Sequence, residues 1–144
     1  MTAENDRGLW ELSRRDGAVL VRFSCSGGVT PAAVELAFPH HLLFTLSPTG
    51  EAILAVPAEE TAKGLSRLPN CMAETRPAIS IIRAAGDGMS AADNRARRIC
   101  ARLAEEGISV HALSLSDIGA VLAVDTDQAD RAIELIRAEF LFSC

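Results

Sequence analysis

The sequence predicts an α+β protein of two units, in each of which strands and helices follow the order β-α-β-β-α-β. Short runs of apolar, β-branched residues alternate with stretches in which apolar residues recur at helical spacing. Glycine-rich breaks separate these runs at corresponding places in the two halves of the chain. The 144 residues, 49% of them hydrophobic, suffice for two small cores.

The second half of the chain shows this order most clearly. A buried strand is predicted at 78–83, followed by a glycine break and a helix from about Asp93. Gly107 stands where a C′ glycine ends a helix. The remaining predicted elements are strands at 109–115 and 120–124, a helix that Thr126 caps, and a strand at 140–144.

The first half repeats the order with weaker periodicity. Arg15-Asp16-Gly17 is a hairpin signal between two short strands, and Thr30-Pro31 caps and opens a helix. The predicted elements are strands at 9–13 and 18–24, a helix through Phe38, strands at 42–46 and 51–56, a helix at 58–68 and a strand at 71–74.

The two units are the split βαβ, or ferredoxin-like, arrangement present twice. The domains are predicted at 1–77 and 78–144. Two helices cover only one face of each small sheet, so the other face and the edges need a partner. We therefore expect the units to pack together and the chain to form a homodimer.

The composition excludes several classes of function. A net charge of −5 and only six aromatic residues, five Phe and Trp10, argue against nucleic acid as a partner. Lys63 is the only lysine, which argues against a Schiff base or a P-loop. No apolar run approaches the ~20 residues of a membrane span, and the N-terminus is no signal peptide. We expect a cytoplasmic protein without membrane contact.

The cysteines and histidines show no metal-binding spacing, and no cofactor is expected. The cysteines are scattered and are predicted to be small apolar residues in a reducing compartment. The histidines are predicted to be solvated or hydrogen-bonded structural residues. These residues are Cys25, Cys71, Cys100 and Cys144, and His40, His41 and His111.

The sharpest local motif begins at Gly86-Asp87-Gly88-Met89, between a strand and a helix. It fits G-x-G-x-x-A, but a dinucleotide fold needs a crossover helix where this chain turns directly through Asp117-Ile118-Gly119. A glycine turn before a helix offers backbone N–H groups to a carboxylate. Asp87 or Asp93 could bind an ammonium group. A ligand that carries both a carboxylate and an ammonium group is a free amino acid. The competing interpretation is a plain turn.

The corresponding turn of the first half is Ser26-Gly27-Gly28-Val29-Thr30. It has the glycines but no carboxylate, which favours a plain turn. Ser114 and Ser116 lie in no nucleophile elbow, so a catalytic serine is not expected. They are more plausible as hydrogen-bonding groups at a strand end.

Four segments together resemble the second ACT domain of aspartokinases. The lengths between them match the family pattern without a gap, and the chain up to Pro77 resembles a degenerate first ACT domain. The kinase domain that normally precedes such a pair is absent. The four segments are Ile79-Ser80-Ile81-Ile82, Gly86-Asp87-Gly88-Met89, residues 103–110 and residues 113–118.

The resemblance implies a pair of domains that senses amino acids such as lysine or threonine, at interfaces between ACT domains of two chains. In the family the last strand returns to the first ACT domain, so the resemblance implies that 140–144 completes the first unit. Four positions depart from the family pattern: Asp93-Asn94 replaces Pro-Gly, Ser109 replaces an asparagine, and Gly119 replaces an arginine. The effector-binding residues implied by the resemblance are Asp87, Gly88, Met89, Asp93, Asn94, Ser109, Val110, Ser114, Ser116 and Asp117, with Ser26, Gly27, Gly28, Val29 and Thr30 as a second turn.

The sequence thus predicts a non-catalytic regulatory module that binds a free amino acid and acts on a catalytic kinase partner. The alternative is an ACT-fold assembly module that has lost its effector site. A small enzyme that hydrolyses acyl phosphates is disfavoured. Its phosphate loop would need an arginine, whereas the Gly27-Gly28 loop has none and Arg22 lies back in the strand.

Overall fold

The computed structural model describes residues 9–68, 70–86, 95–116 and 119–140. The chain divides into two compact units, one comprising Asp16–Ile79 and the other combining the chain up to Arg15 with the chain from Ser80 onward. The elements are strands β1 (Leu9–Cys25), β2 (Leu43–Leu46), β3 (Ala52–Pro57), β4 (Cys71–Gly86), β5 (Ala112–Leu115) and β6 (Gly119–Asp125), helices α1 (Pro31–Ala37), α2 (Thr61–Leu65), α3 (Arg95–Glu105) and α4 (Thr126–Phe140), and a 3₁₀ turn at Ala58–Glu60.

In the unit 16–79 the strand order is β2-β3-β1-β4. β1 pairs antiparallel with β3 from Ala18↔Pro57 to Phe23↔Ala52, and β2 pairs antiparallel with β3. Alternate residues of β1 and β3 join α1 in one core because strand side chains alternate between the faces. The buried members of this core are Val19, Val21, Phe23, Val34, Ala37, Phe38, Ala52, Leu54 and Val56.

Phe38 and Gly64 make the closest approach in this unit. The Phe38 ring is 1% exposed and lies against Phe23, with 6.3 Å between the ring centroids. Gly64 is buried on α2, and a Cβ added there would lie 2.0 Å from Phe38 Cε1. The absence of a side chain at Gly64 therefore allows α2 to pack on the ring.

In the other unit the strand order is β5-β6-β4-β1, and β5 pairs antiparallel with β6 from Ala112↔Ala123 to Leu115↔Ala120. The helix-facing residues of β4 and β6 pack with α3 and α4, and Leu12 of β1 joins them. The buried members of this core are Ile82, Ala84, Ala96, Ile99, Leu103, Ile108, Ala120, Leu122, Val124, Ala129, Ala132, Leu135 and Ile136.

These strand orders confirm the predicted α+β class with two ferredoxin-like units. In the unit 16–79, the hairpin β2–β3 lies on one side of β1 and β4 lies on the other. In the other unit, the hairpin β5–β6 lies on one side of β4 and β1 lies on the other. β1 and β4 each supply residues to both units. The domain limits 1–77 and 78–144 remain a prediction; the two units meet in the chain at Ile79–Ser80.

The predicted hairpin at Arg15-Asp16-Gly17 is wrong, because β1 continues through it. A type I′ turn needs positive φ at both central residues, and only Gly17 has it, at +79°. The strands predicted at 71–74 and 78–83 are one continuous strand, β4. Pro77 is tolerated at an exposed position of this strand, and the next residue, Ala78, takes φ +58°.

The fourth strand of the second unit is the beginning of β1, not a strand from the C-terminal tail. Phe140, predicted to begin that tail strand, is the last residue of α4. The rest of the predicted strand, 141–144, lies outside the described residues. The predicted helix at 58–68 is shorter in the structure, a 3₁₀ turn followed by α2.

α3 ends in the glycine cap that the sequence predicts. Gly107 has φ +77°, its N–H donates to Ala104 O at 3.0 Å, and the Ile108 N–H donates to Leu103 O at 2.9 Å. These two bonds define a Schellman motif, and buried Ile108 closes it against the core. The cap therefore fixes where the chain leaves α3 and enters the segment before β5.

Replacing Gly107 with alanine should lower the free energy of unfolding by about 1 kcal/mol, because alanine rarely adopts a positive φ. Gly107→Asn is the matched control, since asparagine tolerates this conformation and should lose less. Urea unfolding followed by circular dichroism measures both losses. Equal losses for the two variants would contradict the role of the backbone conformation.

Candidate functional site

The predicted turn of the first unit lies between β1 and α1. Gly27 and Gly28 both have positive φ, +87° and +92°, and the Gly28 N–H donates to Cys25 O at 2.9 Å. Ser26, Gly27 and Gly28 are exposed, whereas Val29 is half-buried and packs on the core. The turn is therefore an exposed backbone loop held at its base by Cys25.

Thr30 ends this turn by capping α1, as predicted. Its Oγ1 accepts a hydrogen bond from Ala33 N at 3.2 Å, and Pro31 occupies the first turn of the helix. The position of Thr30 is thus fixed by α1. Among the five residues of the turn, Thr30 has a side chain engaged in the cap and Val29 one that packs on the core.

Cys25 and Cys71 form a disulfide, with 4.1 Å between their Cα atoms. The prediction that all cysteines are reduced apolar residues is therefore wrong for this pair. Cys25 ends β1 and Cys71 begins β4, and β1 and β4 are neighbours in the strand order. Nothing local in the sequence indicates the pair, because 46 positions separate its members.

In the other unit, the predicted residues Ser109 and Val110 lie between the cap of α3 and the first residue of β5. The strand was predicted to begin at Ser109, but it begins at Ala112. Ser109 is exposed, whereas Val110 is half-buried and packs against the core. The Ser109 hydroxyl is therefore available at the beginning of this hairpin.

Ser114 and Ser116 lie towards the other end of the same hairpin. Ser114 pairs with Val121 and is half-buried, on the strand face opposite the core residue Leu113. Ser116 is exposed, and its N–H donates to Gly119 O at 2.8 Å, which closes the turn. The structure thus places Ser109 and Ser114 at opposite ends of β5, not side by side.

The other predicted effector residues, Asp87, Gly88, Met89, Asp93, Asn94 and Asp117, lie outside the described residues. Their grouping with Ser109 and Val110 remains a prediction.

Two polar contacts near the hairpin were not predicted. His111 Nε2 lies 3.2 Å from Asp125 Oδ1, and both side chains are about three-quarters or more buried. The Ser80 hydroxyl, fully buried in β4, donates to Thr126 Oγ1 at 2.9 Å. Both contacts lie where β6 ends and α4 begins, so they fix this junction beside the segment that precedes β5.

A cavity of about 180 Å³ lies in the unit 16–79, and its lining joins polar and apolar residues: Ala37, Pro39, His40, Glu60, Lys63, Gly64 and Arg67. His40 Nδ1 donates to Glu60 Oε1 at 3.0 Å, and Arg67 Nη1 donates to the carbonyl oxygens at the end of α1. His41 Nδ1 donates to Phe38 O at 3.0 Å. Both adjacent histidines are thus hydrogen-bonded.

Within the described ranges, no group of three or more His, Cys, Asp or Glu side chains is arranged to hold a metal ion. No helix in the described part of the chain is both long and apolar enough to cross a bilayer.

Residues 82–140 match the family model described as ACT domain. This segment begins within β4 and runs to the end of α4. It therefore contains Ser109, Val110, Ser114 and Ser116. No curated protein sequence matches the chain.

The chain has the fold of aspartate kinase regulatory subunits. The regulatory subunit from Thermus thermophilus, in its ligand-free form, superposes with a TM-score of 0.76 at 14% identity, with 92% of this chain and 99% of that chain covered. The regulatory subunit from Thermus flavus gives 0.75 at 12% identity, with the same coverage. Aspartokinase III of E. coli, in complex with lysine and aspartate, gives 0.70 at 12% identity, with 92% of this chain and 33% of that chain covered.

These findings confirm the predicted resemblance to the ACT-domain region of aspartokinases. The two Thermus chains that are covered almost completely are regulatory subunits. The ACT-domain fold that the resemblance implied is therefore confirmed.

Proposed function

We propose, from the ACT-domain match over residues 82–140 and the regulatory-subunit fold, that this chain is a regulatory module without catalytic activity. In this proposal it binds a free amino acid and controls the catalytic part of an aspartate kinase, in the cytoplasm. The observation that carries the proposal is the coverage: 92% of this chain superposes on 99% of a regulatory subunit. Nearly every element described above therefore has a counterpart in a protein of that type.

The chemistry of the proposed site suits an amino acid, which presents a carboxylate and an ammonium group. The backbone N–H groups of Gly88 and Met89 are proposed to receive the carboxylate, and Asp87 the ammonium group. The exposed hydroxyl of Ser109 is proposed to complete the site from the other side. Val110, Ser114, Ser116 and Asp117, together with Asp93 and Asn94, are proposed to surround it.

The proposal also specifies the class of amino acid that binds, an effector of the lysine or threonine type. It is supported by the E. coli enzyme, whose similar structure was determined in complex with lysine and aspartate. The glycine turn at residues 26–30 is proposed as a second site. Its exposed backbone supports this role, although it carries no carboxylate for the ammonium group.

The effector is expected to act by preferring one of two conformations that the module and its kinase partner can adopt. Only a difference in affinity between two states can transmit the effect, and coupling of this kind typically amounts to about 1–3 kcal/mol. The segment between α3 and β5 is suited to transmit the effect of a bound amino acid. One end is fixed by the cap at Gly107, while Ser109 is free to contact a ligand.

A homodimer is part of the proposal. In the unit 16–79, β4 is the outer strand, and all residues from 72 to 78 are exposed, including Met72 at 81%. This run of exposed residues offers a second copy a surface on which to pack. Light scattering on the purified chain should give the mass of a dimer, and a monomer would contradict this part.

A thermal-shift screen of the purified chain against the twenty amino acids, each at millimolar concentration, tests the proposed function. A ligand at 100 times its Kd adds about 2.7 kcal/mol to the free energy of unfolding, which raises the Tm by several degrees. We expect a selective shift with lysine or threonine. Asp87→Asn should abolish that shift, because it removes the charge that meets the ammonium group.

The matched control is Asp127→Asn, at an exposed aspartate of α4 outside the proposed site. It should leave the ligand-induced shift unchanged. A shift that persists in Asp87→Asn would contradict the role of Asp87. If none of the twenty amino acids shifts the Tm, the assembly module with a lost effector site is favoured instead.

A further inference from the structure

The Cys25–Cys71 disulfide has no role in the function proposed above. Cys25 is the last residue of β1 and Cys71 the first of β4, so the bridge joins the ends of two neighbouring strands. Both side chains are half-buried and pack at the rim of the core of the unit 16–79. Residues 26–28 and 72–74, which follow the two cysteines, are exposed, so a small thiol has access to the bridge.

The bridge holds the base of the glycine turn 26–30. The Cys25 carbonyl accepts the Gly28 N–H at 2.9 Å, and the turn begins at the next residue. Gly27 and Gly28 have no side chains with which to anchor it. The far end is fixed by the cap at Thr30, so the near end depends on the position of Cys25.

The nine buried side chains of the core of this unit come from β1, β3, α1 and Phe38, and the two cysteines pack only against their rim. β1 is held by six paired positions with β3, from Ala18 to Phe23, and it also has β4 as a neighbour. Opening the bridge should therefore loosen the end of β1 beyond Phe23 and the turn that follows, while the part of β1 paired with β3 stays in place.

We propose that Cys25 and Cys71 form a reversible thiol–disulfide pair that controls the order of the turn 26–30. In the reducing direction, a thiolate of a dithiol reductant attacks one sulfur of the bridge. The bond between the cysteines breaks, and a mixed disulfide forms. The second thiol of the reductant then displaces that cysteine and closes a disulfide in the reductant. Two electrons and two protons pass from the dithiol, leaving two cysteine thiols.

Cys100 provides an internal contrast. It is free and half-buried on α3, in the other unit, and burial raises the pKa of its thiol. A raised pKa lowers the fraction of thiolate, the form that takes part in exchange. Cys100→Ser is therefore a matched control that removes a thiol without touching the pair.

Hydrogen exchange followed by mass spectrometry tests the proposal without any amino acid ligand, so its outcome is independent of the proposed function. The oxidised protein is compared with protein reduced by dithiothreitol, with the Cys25→Ser/Cys71→Ser double variant, and with Cys100→Ser. Amides of residues 26–30 should exchange at least about ten times faster after reduction and in the double variant, and re-oxidation should restore the slow rate. Amides of β3 should keep their exchange rates after reduction. In oxidised Cys100→Ser, the amides of residues 26–30 should exchange as slowly as in the oxidised protein.

Two outcomes of this experiment would overturn the proposal. Equal exchange of residues 26–30 in both redox states would show that the bridge does not order the turn. Loss of protection throughout the unit 16–79, with loss of its circular dichroism, would show that the bridge is a structural staple. The double variant distinguishes a direct effect of reduction from damage by the reagent.

Reversibility is tested by equilibrating the protein in mixtures of reduced and oxidised glutathione and trapping thiols with iodoacetamide. Mass spectrometry should find both states of the pair within the range of mixtures, with the two cysteines changing together. A disulfide that stays oxidised in all mixtures would contradict the proposal that Cys25 and Cys71 form a reversible pair. The amino acid screen, run on both states, then shows whether the turn also binds a ligand.

Discussion

Replacing Gly64 with alanine is expected to lower the free energy of unfolding by about 3 kcal/mol, the upper end of the usual cost of overpacking a core. The added methyl group would lie 2.0 Å from Phe38 Cε1, 2.3 Å from Cδ1 and 2.6 Å from Cζ. The Phe38 ring has little room to yield, because it is 1% exposed and lies against Phe23. This loss should outweigh the gain of about 1 kcal/mol that alanine brings to a helix.

Urea unfolding of Gly64→Ala, of Phe38→Leu and of the double variant measures the effect. Leucine removes the atoms with which the new methyl group collides. The double variant should therefore be less destabilised than the sum of the single variants, a coupling that a double-mutant cycle detects. If Gly64→Ala instead raised stability by the helix-propensity gain alone, the close approach of α2 to the ring would be absent.

Replacing Leu103 with alanine is expected to lower the free energy of unfolding by about 3–4 kcal/mol, as for other fully buried leucines that leave a cavity. Leu103 is 0% exposed, and its carbonyl accepts the bond from Ile108 that closes the cap of α3. The substitution would remove apolar atoms from the centre of the core that α3 and α4 form with β4 and β6.

The matched control is Leu115→Ala, because Leu115 lies in the same unit but is 46% exposed. The free energy of unfolding of Leu115→Ala should fall by less than about 1 kcal/mol, because a half-exposed side chain buries less apolar surface on folding. Equal losses for Leu103→Ala and Leu115→Ala would contradict the core described here. Hydrogen exchange should locate the weakened protection of Leu103→Ala in α3, α4 and the strands beneath them.

Local sequence signals predicted the helix caps at Thr30 and Gly107 correctly and the strand ends poorly. Thr30 and Gly107 act through bonds to residues at most five positions away, so the sequence around them carries their information. Gly17 and Pro77 are different, because whether a strand stops there depends on partner strands far along the chain. A turn signal inside an otherwise apolar run is therefore compatible with one long strand.

The same distinction applies to the candidate site. The resemblance indicated Ser109 and Val110 beside the ACT-type hairpin, but it could not place the beginning of β5 three residues later. His111 could have been placed one residue from Asp125 by extending the register of β5 and β6, which sets it opposite Val124. Cys25 and Cys71 could not, because their meeting requires β1 and β4 to be neighbours.

The passage of β1 and β4 through both units has a consequence for synthesis on the ribosome. The unit 16–79 is one continuous segment and has all its strands once β4 has begun to emerge. The other unit needs the beginning of β1, which leaves the ribosome before the unit 16–79, and α4, which leaves after it. Contacts between such distant segments form slowly, because a long loop must close. The unit 16–79 can therefore fold early, while the start of β1 waits for its partners until α4 has emerged.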